Sequence, residues 1–101
     1  MYGDIKIKLE DCKHGHLYRI FSRNLSLGVF DKACSGFVGI RTKFGHRYLF
    51  CEFHYDTGAP FGTVNPLEEI EQCPHEPNEN NNELFRYLEE QLAKLAQPEA
   101  P

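Results

Sequence analysis

A chain of 101 residues is the length of one domain, and a domain of that size buries only about two-thirds of the surface its unfolded form exposes. Its 41% hydrophobic and 26% charged residues are the make-up of an ordinary globular fold, and the formal charge of −4 excludes an all-over phosphate binder while leaving room for a local basic patch. No apolar run approaches the roughly 20 residues of a membrane helix, so no membrane partner is expected. The start Met1-Tyr2-Gly3-Asp4 lacks a basic stretch followed by an apolar core, so no secretory signal is read and cytoplasmic residence is expected. Accordingly Cys12, Cys34, Cys51 and Cys73 are read as free, mostly buried thiols in a reducing compartment.

Along the chain, Asp4 to Glu10 alternates Ile5, Ile7 and Leu9 with Lys6, Lys8 and Glu10, the period-2 pattern of an edge strand or extended arm. Leu9 and Cys12, three apart, fit a single helical turn that Gly15 can terminate. Short aromatic and β-branched runs follow, cut by turn-formers: His16 to Arg23, Leu25 to Phe30, Phe37 to Phe44 and His46 to Tyr55. These predict a meander of antiparallel strands. Asn24 suits a bend between the first two, and Gly28 inside a strand suggests a sharp curve or a close backbone approach. Lys43-Phe44-Gly45-His46 predicts a tight hairpin with Gly45 at positive φ.

In the long fourth strand Leu49, Cys51, Phe53 and Tyr55 share one face, and Tyr48, Phe50, Glu52 and His54 the other. Apolar residues on both faces predict that a second chain or the C-terminal segment covers one of them. A short fifth strand, Phe61 to Asn65, is expected to stop at Pro66, with Leu67 to Ile70 left open as one more turn or paired residue. The acidic run Glu68, Glu69 and Glu71 is expected to be solvated. Residues 73–82, rich in Pro, Asn and Glu, read as a linker after a domain spanning 1–72. Residues 83–97 read as an amphipathic helix with Phe85, Leu88, Leu92 and Leu95 on one stripe. At that length the stripe has to dock on the domain.

Of the chemical constellations, the Cys and His pairs come first. Cys12, His14 and His16 lie two apart, Cys51 and His54 three apart, and Cys73 and His75 two apart. Zinc requires about four converging ligands, and none of these spacings is C-x2-C or H-x3-5-H, so neither metal nor any other cofactor is expected. Nor does any pattern mark a Cys/His nucleophile, a carboxylate pair or a phosphate-cradling glycine loop, and no enzyme activity is expected. A basic cluster does stand out. Arg41, Lys43, His46 and Arg47 surround one hairpin, with Phe44 and Tyr48 between them and with Arg19 and Arg23 on the first strand. This mixture is that of a nucleic-acid surface, or of a solubilising outer face.

An N-terminal turn followed by five short, strongly bent strands resembles the Sm-like small barrel, a layout shared with SH3-like domains. In particular, His14-Gly15-His16-Leu17-Tyr18-Arg19-Ile20 and Asp56-Thr57-Gly58-Ala59-Pro60-Phe61-Gly62-Thr63-Val64 look like the small Sm-like proteins carried by marine phages. Such a protein would work in the host cytoplasm. The resemblance covers residues 9–70. Gly28-Val29-Phe30-Asp31 is similar to part of the first Sm motif, with Ser35 where that motif has an RNA-contacting asparagine. The Arg-Gly pair of the second motif is replaced by Cys51-Glu52-Phe53-His54-Tyr55.

The resemblance implies a mainly β, five-stranded antiparallel barrel, followed here by the C-terminal helix. It also implies a homo-oligomeric ring in which the fourth strand of one subunit pairs with the fifth of the next, with Tyr48, Phe50, Phe61 and Val64 at the interface. RNA would be bound near the pore by Lys32, Ser35, His54 and Tyr55. The alternative expectation is a non-enzymatic protein-interaction or assembly module on the same barrel that binds no RNA.

Overall fold

The computed structural model describes residues 7–22, 24–33, 35–53, 64–77 and 82–96. A 3-10 turn at Leu9–Asp11 leads into strands β1 (His16–Phe21), β2 (Leu27–Asp31), β3 (Gly36–Lys43), β4 (His46–Phe53) and β5 (Asn65–Gln72), and the chain ends in helix α1 (Asn82–Ala96). The strands form one antiparallel sheet in the order β4-β3-β2-β1-β5. The sheet is open: β4 and β5 are its two edges.

Alternation along the strands gives the sheet two apolar faces. On one, Tyr18, Ile20, Phe30 and Phe37 gather with Cys12, Leu25 and Val64, and Ile7, Leu9 and Phe50 pack against them. Phe37 is the centre of this cluster, meeting Phe30 at 5.1 Å and Tyr18 edge-on at 5.9 Å between ring centroids. Gly28 is what lets it lie so close: a Cβ there would sit 2.7 Å from the Cβ of Phe37. Phe50 of β4 packs against the cluster that contains Val64, which immediately precedes β5, although the two come from opposite edges of the sheet.

Leu17, Leu27, Val29, Val38 and Ile40 form the other face, and Leu84 and Leu88 of α1 bury against them. The C-terminal segment therefore covers the second apolar face, one of the two covers the sequence predicts. Burying each leucine contributes about 1.5–3 kcal/mol, which a helix this short needs in order to form. The buried stripe is Leu84, Leu88 and Gln91; Phe85 and Leu92 are half-buried and Leu95 is 45% exposed. It is thus rotated from the stripe the sequence predicts. Tyr87 donates its hydroxyl proton to Glu71 on β5 at 2.7 Å, and Arg47 on β4 donates to Glu89 at 3.0 Å. The helix is tied to both edge strands.

β5 departs most from the sequence expectation. It runs through Pro66 to Gln72 instead of stopping there. Pro66 lies on an edge strand opposite Ile20, at a register irregularity between Arg19 and Ile20, where a missing N–H is tolerated. The acidic run is consequently strand, paired with β1. Arg19 donates to Glu68 at 3.1 Å, and His16 and Lys13 meet Glu69 at 2.8 and 3.9 Å. Phe61 to Thr63, the beginning of the predicted fifth strand, lie outside the described residues.

Candidate nucleic-acid interface

Charge is unevenly distributed along the chain. Four of its eleven basic residues and none of its fifteen acidic ones fall between positions 32 and 51, whereas from position 65 onward there are nine acidic residues and two basic. In the fold the first of these segments is the β2–β3 turn, β3 and most of β4, whose end adds Glu52, and the second contains β5 and α1. The hairpin end of the β4 edge, with Arg41, Lys43 and Arg47, is therefore basic, and the β5 edge, with Glu68, Glu69 and Glu71, acidic.

The β3–β4 hairpin turns in two residues. Phe44 (φ 52°) and Gly45 (φ 79°) both occupy the left-handed region, as a type I′ turn requires, between the paired Lys43 and His46. The register puts Lys43 opposite His46, Arg41 opposite Tyr48 and Gly39 opposite Phe50, so these six share one face. Arg47, Leu49 and Cys51 project to the other face, toward α1. On the first face the Arg41 guanidinium lies 5.1 Å from the centroid of the Phe50 ring, and Tyr48 meets Phe50 edge-on at 6.4 Å. At the tip, the Lys43 ammonium lies 5.6 Å from the Phe44 centroid, and Phe44 is 89% exposed.

A second feature lies where the N-terminal turn faces the β2–β3 turn. An open groove of about 800 Å³ has Leu9, Cys12 and Phe30 as its apolar floor, with Lys8, Lys32, Ser35 and Glu10 around the rim. Its walls are held locally. The Lys32 N–H donates to Nδ1 of His14 at 3.1 Å, the Ala33 N–H donates to Oδ1 of buried Asp31 at 3.1 Å, and Ser35 turns the chain at φ 53°. His14 contacts Glu76 through its other ring nitrogen at 3.0 Å. Burial, reinforced by Asp11 and Glu69, pushes the Cys12 thiol up to about 11, so the floor is uncharged at neutral pH.

Of the residues singled out in the sequence for RNA, Lys32 and Ser35 both line this groove, while His54 and Tyr55 lie outside the described residues. Of those singled out for an interface, Tyr48 is 36% exposed, Phe50 is half-buried and Val64 is buried in the chain's own core. Phe61 is outside the described residues. Lys8 is the lining residue that sequence reasoning passed over. There it was one more outward charge in an alternating arm, and only the folded turn brings it to the same groove as Lys32.

Cys12, Cys51 and Cys73 are free thiols. Among the described residues, no group of three or more His, Cys, Asp and Glu side chains could hold a metal ion, and no helix is long and apolar enough to cross a membrane. No family model, curated protein or solved structure matches the chain.

Proposed function

We propose that this chain is a non-enzymatic assembly module of Sm-like type. Copies join head to tail, β4 of one to β5 of the next, into a closed ring that presents the groove beside the β2–β3 turn to RNA. The observation that carries this reading is the open sheet with edges of opposite charge. An unpaired edge exposes a row of N–H and C=O groups, and adding a subunit at each edge until the circuit closes removes both rows. The basic β4 edge facing the acidic β5 edge favours that contact over the like-charged alternatives. The strand order and the gathering of Phe50 and Val64 around one core cluster support a sheet that curls into a small bent barrel of the Sm-like or SH3-like kind.

Size-exclusion chromatography with light scattering at low salt tests the assembly. The expected mass is several times the 11.7 kDa of the chain. A monodisperse monomer at micromolar concentration overturns the ring and leaves an SH3-like monomeric module.

For the groove, Lys8 and Lys32 can each meet one phosphate. Two contacts to a single strand give a slope of about −1.4 for log affinity against log salt. Lys32→Glu should flatten the slope for an oligo-uridine by about 0.7. An oligo-uridine affinity untouched by Lys8→Glu and Lys32→Glu removes RNA from the groove and leaves an assembly module alone.

A further inference from the structure

We propose that the open face of the β3–β4 hairpin is a separate surface for single-stranded nucleic acid, DNA or RNA alike, with bases stacking on Phe44 and Tyr48 and phosphates meeting Arg41, Lys43 and His46. The surface stands apart from the groove and does not depend on the ring.

Phe44 is the first observation. A two-residue turn with positive φ at both positions favours Asn, Asp or Gly, yet this one has a phenylalanine at φ 52° with 89% of its surface in water. Among the described residues that ring belongs to neither core cluster and meets only the Lys43 ammonium. An outlying backbone conformation and an exposed aromatic side chain at one position point to a ligand outside the fold.

The register supplies the second observation. Arg41, Lys43, His46, Tyr48 and Phe50 share one face, with Phe44 at the tip, and α1 packs on the opposite face, where Arg47 is engaged with Glu89. Aromatic positions thus alternate with cations along a strip that runs from Phe44 toward Phe50. Six residues at about 3.3 Å each give it a length of about 20 Å. That is an extended track, and a membrane would need only the tip. Rings on such a track stack bases only when those are unpaired, and every base has a face to offer. Contacts confined to base faces and phosphates do not read the 2′-hydroxyl, hence the indifference to sugar.

The test is fluorescence anisotropy with labelled oligo-thymidine and oligo-uridine of equal length, a duplex of the same length for comparison, and co-sedimentation with phosphatidylserine vesicles. The two single strands should bind wild type similarly and the duplex more weakly. Phe44→Ala and Tyr48→Ala should each weaken oligo-thymidine binding about 5- to 150-fold. Arg41→Gln with Lys43→Gln should flatten the salt slope by about 1.4. Phe44→Ala should weaken oligo-thymidine binding by the same factor in a Lys8→Glu, Lys32→Glu background as in wild type, which separates this surface from the groove. Where Tyr48→Ala lowers the melting temperature, Phe44→Ala at the exposed tip decides alone. The proposal is overturned if wild type fails to bind oligo-thymidine at low salt, or if Phe44→Ala binds it as wild type does. It is also overturned if the groove substitutions abolish oligo-thymidine binding, or if the hairpin substitutions remove vesicle binding and leave the oligonucleotide bound.

Discussion

Cys12 lies beneath the N-terminal turn, 8% exposed, with its thiol 3.6 Å from the carbonyl oxygen of Lys8. Burial is the main cause that moves its ionisation from 9.0 to about 11, and the negative charges of Asp11 and Glu69 add to it. The folded chain therefore keeps this proton through a range of pH in which the unfolded chain has released it. The native state binds more protons there, so stability falls as pH rises from about 9 to 11, by roughly 2–3 kcal/mol for this group. Burial also raises the thiol of Cys73 and the hydroxyls of Tyr18 and Tyr87, the last aided by its bond to Glu71, and all act in the same direction. The melting temperature should therefore drop across this range, and Cys12→Ala should make the descent shallower. An equal descent in the variant would assign the alkaline loss to other groups.

Among the elements, α1 and β5 are where folding information is least local. Leu88, 1% exposed, joins the helix to the face formed by β1, β2 and β3, and Leu88→Ala should cost about 2–5 kcal/mol in denaturant unfolding. Leu95→Ala, at a side chain 45% exposed, should cost little. Equal losses would put the buried stripe back where helical spacing alone predicts it. That spacing identifies α1 as amphipathic but does not select among neighbouring apolar rows, because Leu84, Phe85, Leu88 and Leu92 fit two overlapping stripes and the sheet decides between them. The strands β1 to β4 were legible because alternation and turn residues are local signals. β5 was not, since Pro66 read as a stop; its glutamates are exposed, as expected, but their pairing depends on β1, nearly fifty residues earlier in the chain.

For the molecule as a whole, the distribution of charge matters more than its total. Salt should weaken the contact between a basic edge and an acidic edge, so the light-scattering mass should decline toward that of a single chain as ionic strength rises. A mass indifferent to salt would mean that apolar contacts, not opposite charges, hold copies together. The basic hairpin was legible in the sequence as a cluster, because β3 and β4 are neighbours in the chain. The groove was legible only as Lys32 and Ser35, since Lys8 reaches them from another element. The acidic edge was hidden, because Glu68, Glu69 and Glu71 follow a proline and only their pairing with β1 makes them an edge strand.

A body with its positive pole at β4 and its negative pole at β5 is an electric dipole lying across the sheet. In an open row of copies placed head to tail the moments add, and each end keeps an unsatisfied pole that draws in the next copy. Around a closed circuit the same moments point successively in every direction and cancel, and no pole remains to attract another subunit. In the proposed ring, the segregation of charge that favours growth would also be spent at closure, with no separate stop signal needed.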